Sequence, residues 1–362
     1  MTLRFVDQPP REVIEGLVPV SDPARDVVER IAEIFRTPLT GAYAWSYEDA
    51  DRKIRRLYEL GKQLGWNAAL DLDWASSWPR TQAPIAEVFN PFVGYEPFER
   101  MSEEEKLAFA WHQHAWTLSQ FLHGEQGALL VASQLVSCAP THEAKLYAAS
   151  QTFDEARHVE AFGRYLREKV GILYPVNPHL KVLLDKILTD PRWDLKFIGM
   201  QIIIEGLALS AFQTLRMVTL DPLLHRIIEL VTRDESRHVA FGVTYMESFV
   251  RGLPRDEVEA RARFAYEACV VMRERLVATE VLERFGWNVE EGRRILLESH
   301  VMEEFRRMLF QRIVPNLSRI GLLTDSVRPL YDALGILQFE NLVDDGVIDW
   351  ARLEAPLQRP AA

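Results

Sequence analysis

The fold of this chain is decided by two stretches, Asp154-Glu155-Ala156-Arg157-His158 and Asp234-Glu235-Ser236-Arg237-His238. They share four of their five residues, and each contains Glu-x-x-His. Residues three apart lie on one face of an α-helix, so each stretch can offer a carboxylate and an imidazole to the same metal ion. Two such stretches can serve two ions.

Each stretch has a glutamate partner upstream. Glu125 lies 30 residues before Glu155, and Glu205 lies 30 residues before Glu235. Each upstream glutamate is the only acidic residue within ten positions on either side. The second set therefore repeats the first set 80 residues further along the chain.

The spacing predicts two helical hairpins with equal arms. The midpoint of the first pair is Pro140, and the midpoint of the second is residue 220, next to Asp221-Pro222. Proline there ends one helix and lets the next begin. Each arm is then about 22 Å long at 1.5 Å per residue, so both acids of a hairpin reach the same height. The predicted ligands of a dinuclear site in a four-helix bundle are Glu125, Glu155, His158, Glu205, Glu235 and His238.

Metal binding explains these residues better than buried ion pairs alone do. Burying four carboxylates without a cation is very costly, whereas four carboxylates nearly balance two divalent ions. Mixed carboxylate and imidazole ligands suit iron or manganese. We expect two Fe ions, with an Mn/Fe pair as an option, and dioxygen as the co-substrate.

The other charged residues of the two stretches are predicted to support the ligands. Metal-bound histidines usually donate their second N–H to a carboxylate. We expect Asp154 to pair with His238 and Asp234 with His158, across the hairpins. Arg157 and Arg237 can neutralise these aspartates, although surface ion pairing is an alternative for the arginines.

Proline positions predict an all-α fold. No proline occurs in residues 98–139, 141–174, 192–221, 223–253 and 255–314. Such stretches suit long helices, and no alternating strand pattern competes with them. Ser102 and Glu105 form a predicted capping box at the start of the first long helix.

We expect three parts in one domain. Residues 1–98 should hold N-terminal helices and an arm rich in tryptophan and proline, packed on the bundle. Residues 99–253 should form the metal-binding four-helix core, and residues 254–362 additional C-terminal helices. The predicted helices outside the core are Asp22 to about Phe35, Tyr47 to Gly65, Leu180–Leu188, roughly 255–284 and 289–314, and one near Val327–Leu337.

Composition limits the partners. The chain has 362 residues and a net charge of −11, without a basic block, so nucleic acid is not an expected partner. Two cysteines fit a reducing compartment, and neither a signal sequence nor an uncharged membrane span is recognisable. We therefore expect a cytoplasmic protein without a membrane partner. A homodimer is one assembly that the sequence leaves open.

Several apolar side chains lie close to the predicted ligands in sequence. Most should belong to the core, and a few should line an apolar substrate cavity between helices. These candidates are Phe121, Leu129, Phe162, Leu209, Phe212 and Phe241.

At these residues the chain resembles the ferritin-like di-iron carboxylate superfamily, over about residues 100–250. The pattern is most similar to its oxygen-activating branch, which includes ribonucleotide reductase small subunits, multicomponent monooxygenase hydroxylases and acyl carrier protein desaturases. The resemblance implies a ferritin-like four-helix bundle. It also implies that Glu125, Glu155 and His158 bind one iron and the other three ligands the second, with bridging glutamates shared.

Departures from known subgroups are informative. Phe162 stands where radical-storing reductase subunits have tyrosine, and Met200 and Gly127 stand where ligand-binding oxidases form a Tyr–Val cross-link. Leu209 replaces the threonine of the multicomponent hydroxylases. Val231 replaces the extra histidine of the di-iron arylamine N-oxygenases. These differences predict an oxygenase or oxidase with an unusually apolar pocket, outside the well-known subgroups.

The preferred hypothesis is a non-haem di-iron oxygenase or oxidase that oxidises a small, largely apolar organic substrate. It could draw electrons from a ferredoxin or a reductase. The alternatives are a ferritin-like protein that stores or detoxifies iron, and a radical-generating or ligand-binding oxidase of the reductase small-subunit type. Phe162 argues against the radical generator, because its ring lacks the phenol O–H.

Overall fold

The computed structural model describes residues 32–33, 35–47 and 51–357. The chain divides into two compact units, Met1–Arg36 and Thr37–Ala362, and every helix described below belongs to the larger unit. The helix predicted from Asp22 to about Phe35 lies outside the described residues, apart from its end.

The described part of the chain is helical and contains no β-strand, only an isolated bridge between Ile85 and Thr219. Two short 3₁₀ helices cover Glu87–Phe89 and Leu337–Phe339, and two π-helical segments cover Leu166–Val170 and Phe197–Ile204. The α-helices are α1 (Arg52–Gln63), α2 (Glu96–Glu99), α3 (Glu103–Cys138), α4 (His142–Tyr165), α5 (Pro178–Thr189), α6 (Trp193–Lys196), α7 (Glu205–Val218), α8 (Pro222–Arg251), α9 (Arg255–Glu274), α10 (Thr279–Arg284), α11 (Val289–Glu298), α12 (His300–Arg319), α13 (Arg328–Ala333) and α14 (Trp350–Glu354).

The two predicted hairpins form the centre of the structure. Helix α3 starts with the predicted capping box, in which the Ser102 hydroxyl accepts from the Glu105 backbone and the Glu105 carboxylate accepts from Ser102. Its turn into α4 contains Pro140, and Thr141 caps α4. In the second hairpin, the Asp221 carboxylate accepts from the first backbone N–H groups of α8. Both turns therefore lie where the equal-arm argument predicts them.

The third bundle helix is one continuous rod, Trp193–Val218, made of α6, the second π-helical segment and α7. It is the one helix among the described residues that is long and apolar enough to cross a membrane, and 94% of its most apolar window is buried inside the protein. Its apolar character is accounted for by its place in the core.

The flanking helices differ in detail from the prediction. The break expected near Gly286 is present between α10 and α11, and further breaks separate α9 from α10 and α11 from α12. The predicted end of the helix at roughly 289–314 is wrong, because α12 continues through Pro315 to Arg319. Proline removes one backbone hydrogen bond, and the burial of Ile313, Val314 and Leu317 around it offsets that loss.

Candidate metal centre

Six side chains from the four bundle helices meet in one buried layer. None of them has more than 5% of its surface exposed. They are Glu125 from α3, Glu155 and His158 from α4, Glu205 from α7, and Glu235 and His238 from α8. The structure thus brings together all six residues that the sequence nominated as ligands.

The six residues form two overlapping groups of four. In each group the four ligand atoms lie within 4.8 Å of one another. The groups are Glu125, Glu155, His158 and Glu235, and Glu155, Glu205, Glu235 and His238. Because Glu155 and Glu235 belong to both groups, their two oxygens can each face a different ion.

The histidines turn one nitrogen towards the carboxylates of the cluster. Nδ1 of His158 lies 3.1 Å from both Glu125 Oε2 and Glu235 Oε1. Nδ1 of His238 lies 3.1 Å from Glu155 Oε1 and 3.4 Å from Glu235 Oε2. Each Nδ1 is therefore surrounded by carboxylate oxygens. A cation placed there could be bound by the nitrogen and by these oxygens together.

Several buried atoms of the cluster have no hydrogen-bond partner among the described residues. They are Oε2 of Glu155, Oε2 of Glu205, both carboxylate oxygens of Glu235, and Nδ1 of His238. Buried polar atoms are normally satisfied, and exceptions need an explanation. Two divalent cations would supply that missing partner, and the carboxylate and imidazole donors fit iron or manganese.

Burial and mutual repulsion shift the pKa values of the cluster. Burial, together with the charge of Glu235, raises the pKa of Glu125 and of Glu205 well above the usual range. For His158, burial acts to lower the pKa, but the charge of Glu125 and the hydrogen bonds that the ring donates to neighbouring carboxylates raise it well above its usual range. The metal-free cluster therefore holds protons where a metal-loaded cluster would hold cations.

Each histidine uses its other nitrogen to contact an aspartate of the opposite hairpin. Nε2 of His158 lies 3.2 Å from Asp234 Oδ2, and Nε2 of His238 lies 3.1 Å from Asp154 Oδ2. These are the cross-hairpin contacts that the sequence predicts. They fix the ring orientation of both histidines.

The two arginines of the motif complete a buried ion-pair network. Arg157 donates to both Asp154 and Asp234, and so does Arg237. Arg157 is 5% exposed and Arg237 is 1% exposed. The surface-pair alternative for these arginines is therefore wrong. Cross-hairpin pairing neutralises the aspartates in place and locks the two helices carrying the motifs together.

Gln151 is a part of the site that sequence reasoning missed. It lies one turn before Glu155 on α4 and is fully buried. Its amide Nε2 donates to Glu205 Oε1 at 2.7 Å and to Glu155 Oε1 at 3.2 Å. It therefore orients carboxylates from both hairpins. Its position four residues before Glu155 places both side chains on one helix face, and this spacing could have indicated its role.

Trp66 is a second missed residue, and it comes from the N-terminal arm. Its indole Nε1–H donates to Asp234 Oδ2 at 2.8 Å, and its ring stacks near His158 with a centroid separation of 6.2 Å. Arg157 also lies over this ring. The arm thus contacts the aspartate that holds a predicted ligand, and no local sequence pattern indicated this.

The π-helical segment Phe197–Ile204 leads directly into Glu205. Such segments are rare and occur frequently at functional sites. A Cβ atom placed on Gly242 of α8 would lie 2.5 Å from Cβ of Gln201 in this segment. The missing side chain at Gly242 lets α8 approach the segment closely, next to the predicted ligands.

A cavity of about 1090 Å³ lies near the cluster, and none of the six predicted ligands lines it. Along α3 it extends from Glu103 to Phe121, and its wall also includes Leu207 and Ala208 of α7. These inner residues lie within about one helical turn of Glu125 and Glu205. Most of the wall is apolar, so the cavity suits an apolar ligand close to the cluster.

Of the six apolar side chains proposed from sequence, Phe121 lines this cavity and the other five do not. Phe121 contacts Phe212 with a ring separation of 4.8 Å, and Phe162 stacks on Phe212. Phe162, Leu209, Phe212 and Phe241 are fully buried, while Leu129 is half-buried. These five side chains are apolar because they pack against other side chains, not because they line open space. The expectation is that most of the six belong to the core and a few line a cavity, and here one of them, Phe121, lines this cavity.

A family model described as p-aminobenzoate N-oxygenase AurF matches residues 47–321. The match covers about three quarters of the chain. The chain belongs to the AurF family. The expectation that it stands outside the well-known subgroups is therefore wrong, although Val231 does occupy the position where arylamine N-oxygenases add a histidine. One position beside the ligands does not decide family membership.

Solved structures agree with the fold of this AurF-family protein. An R2-like ligand-binding oxidase with aerobically reconstituted metal cofactor after photoconversion is 21% identical, with a TM-score of 0.51, and the match covers 76% of this chain and 96% of that chain. An R2-like ligand-binding oxidase with aerobically reconstituted Mn/Fe cofactor is 20% identical, with a TM-score of 0.50 and the same coverage. These similarities show a shared fold. No curated protein matches the chain.

Family and cluster together define the class of this protein. It is a ferritin-like, non-haem di-iron oxidoreductase of the oxygenase and oxidase type, with dioxygen as co-substrate and a small organic substrate. An oxygenase fits this family better than an iron-handling protein or a radical generator does.

Proposed function

We propose that this protein is a monooxygenase that oxygenates a small, largely apolar organic molecule held in the cavity beside Phe121. The observation that carries the proposal is the inner wall of that cavity, which lies about one helical turn from Glu125 and Glu205. A substrate there would sit next to the reacting centre and away from water. The family name makes an amino group the first reacting group to test.

We assign the metal ligands as the sequence predicted. One ion would be held by Glu125, Glu155 and His158, and the other by Glu205, Glu235 and His238, with Glu155 and Glu235 shared. The orphaned oxygens of the cluster support this assignment. When bound, the two ions supply the redox chemistry that activates dioxygen.

The protein residues around the cluster have separate tasks in this proposal. Asp154 and Asp234 hold the Nε2 protons of the two histidines, so both rings present Nδ1 to the ions. Gln151 orients Glu155 and Glu205 through its amide. Phe121 and the apolar wall exclude water from the reacting group.

Electron balance requires a reductant. Inserting one oxygen atom into a substrate and reducing the other to water consumes two electrons and two protons. We propose that a ferredoxin or a reductase supplies the electrons. A cytoplasmic location stays a proposal, supported by the free and buried Cys138 and Cys269. A homodimer stays a prediction.

The domain boundaries also stay a proposal, with a core at residues 99–253 and flanking parts at 1–98 and 254–362. Packing of α1 against α4 and α8 supports one continuous domain for the described part of the N-terminal region. Packing of α12 against α7 supports the same arrangement for the C-terminal helices.

Dioxygen consumption coupled to product formation tests the proposed function. Iron-loaded protein with a chemical reductant should consume dioxygen repeatedly in the presence of 4-aminobenzoate or aniline, with an oxygenated product detected by mass spectrometry. Glu155→Ala should abolish both signals, and the surface variant Glu59→Ala should change neither. Dioxygen use limited to one oxidation of the bound iron, without product from any amine or apolar compound, would instead indicate iron handling.

A further inference from the structure

Gln201 is a fully buried amide in the π-helical segment that leads into Glu205. The backbone N–H of Glu205 donates to the carbonyl of Met200, five residues earlier. That spacing is the π-helical pattern. The backbone of a predicted ligand therefore continues directly from the segment that carries Gln201.

Packing fixes the stem of the Gln201 side chain. A Cβ atom placed on Gly242 would lie 2.5 Å from Cβ of Gln201 and 3.5 Å from its Cγ, so α8 leaves the stem no room to move. The terminal amide can still turn, because the last torsion of glutamine has a broad and roughly twofold preference. Two arrangements of the amide remain, which differ by exchange of its oxygen and nitrogen.

Each arrangement gives the Gln201 amide a different hydrogen-bond acceptor. In the first, Nε2 of Gln201 donates to Oε1 of Gln151 at 3.4 Å. In the second, the same group donates to the backbone carbonyls of Lys196 at 3.2 Å and Phe197 at 3.3 Å. The π-helical segment and Gln151 therefore compete for one donor.

The arrangement of Gln201 constrains that of Gln151. Nε2 of Gln151 donates to Glu155 and Glu205, which leaves its Oε1 to accept from Gln201. In the second arrangement an oxygen of Gln201 faces this Oε1 instead. If Gln151 turned over in response, its own oxygen would stand 2.7 Å from Oε1 of Glu205. Two acceptors repel each other at that distance, since neither supplies a proton.

We propose that Gln201 is a positioning residue of the metal centre that acts through Gln151. Donation from Gln201 keeps the Gln151 amide turned with Nε2 towards the cluster, and this holds Glu155 and Glu205 in one orientation. The proposal rests on the proposed function for the assignment of both glutamates as metal ligands. It makes the coordination geometry depend on Gln201, although none of the described hydrogen bonds of Gln201 reaches a ligand. Linked hydrogen bonds of this kind polarise and strengthen one another in a buried site.

A double-mutant cycle on cobalt(II) binding tests the proposal. Metal-free protein would be titrated with cobalt(II) against a chelator, and the visible absorption of the bound cobalt would report the coordination geometry. Gln151→Leu should weaken binding about 10–100-fold, and Gln201→Leu about tenfold, as the loss of such supporting partners does. Gln201→Leu should also change the spectrum. The double variant should bind no more weakly than Gln151→Leu alone, because the effect of Gln201 passes through Gln151.

Gln134→Leu is the matched control. Gln134 is a half-buried glutamine of α3 that donates to the carbonyl of Leu188 at 3.2 Å, nine residues beyond Glu125. Its loss should leave cobalt affinity and spectrum unchanged. Losses in affinity that add in the double variant overturn the proposal. A Gln201→Leu protein that is less stable to heat but has unchanged cobalt affinity and spectrum shows a purely structural role and overturns it too.

Nuclear magnetic resonance of the side-chain amides makes the test independent of metal affinities in the variants. Zinc(II) would be added to unmodified protein labelled with ¹⁵N at its glutamine side chains. The assigned Gln201 amide signals should shift when zinc binds, and Gln151→Leu should abolish that shift. Signals that stay in place in the unmodified protein contradict the proposal.

Neither measurement involves dioxygen or turnover. The dependence of metal binding on Gln201 can therefore stand even if no oxygenated product forms. Product formation together with additive affinity losses would reject the assignment of Gln201 alone. Failure of the proposed function and failure of this assignment are thus distinguishable.

Discussion

Single residues in this protein act in pairs that span the two hairpins. Asp234 illustrates this, because it accepts from Trp66 and Arg157 while facing Nε2 of His158. Burial acts to raise the pKa of Asp234, but the charge of Arg237 and the contact with His158 lower it well below the usual range. It is therefore ionised at neutral pH and able to hold the histidine in one orientation.

The substitution Asp234→Asn should weaken iron binding. The amide would lack the negative charge that stabilises the His158 N–H, and losses of about 10–100-fold in affinity or activity accompany the removal of such partners. Iron(II) affinity measured by competition with a chelator checks this. Asp185→Asn is the control, since Asp185 pairs with Lys181 at the surface. Equal affinities in both variants would refute a supporting role for Asp234.

At the scale of the helices, the third and fourth bundle helices must pack closely against each other. The π-helical segment Phe197–Ile204 displaces the backbone just before Glu205, and α8 fits against it only because Gly242 has no side chain. A Cβ there would meet Cβ of Gln201, which cannot rotate away. The helix pair would have to separate.

Gly242→Ala should therefore destabilise the protein by about 1–3 kcal/mol, the usual cost of overpacking a core. It should also lower the iron content by moving Glu205. Gly124→Ala is the matched control, because no atom lies within 4 Å of a Cβ at that position of α3. That change should be neutral or add up to about 1 kcal/mol through helix propensity. Denaturant unfolding and iron analysis measure both effects. A Gly242→Ala variant with unchanged stability would show that the contact can relax.

At the scale of the whole molecule, the buried cluster links stability to pH and to metal binding. In the metal-free state Glu125, Glu205, His158 and His238 all have raised pKa values. The folded protein thus holds protons that the unfolded chain releases near pH 4.5 for glutamate and 6.5 for histidine. Buried His114, whose pKa falls to about 3, and His112, whose pKa is also lowered by burial, act in the opposite direction below pH 6.5. Above pH 6.5 the folded state binds more protons than the unfolded chain, so stability must fall as pH rises there.

We expect the Tm of the metal-free protein to decrease between about pH 6.5 and pH 8. Iron(II) should raise the Tm and reduce this dependence, since cations replace the bound protons and bind the folded state. Thermal unfolding of both forms across this range is the measurement. The variant with both Glu155 and Glu235 changed to alanine should lose the response to iron. A metal-free Tm that rises with pH would contradict the assigned shifts.

Sequence alone determined the central layer of this protein. Two Glu-x-x-His motifs, two upstream glutamates, and a proline at or near the midpoint of each pair specify four helices whose acids share one height. This succeeds because helix geometry is local and periodic, so spacing in the chain converts directly into position along an axis. The same reasoning predicted the aspartate contacts, because metal-bound histidines need a second acceptor.

Tertiary structure alone decided what surrounds that layer. Trp66 meets Asp234 across 168 positions of sequence, and Gln151 meets Glu205 across 54. The cavity near the cluster likewise depends on how α3, α7, α9 and α12 pack. No local periodicity encodes such contacts. They arise where side chains distant in sequence fill or leave open the same space, and that is settled only when the whole core closes.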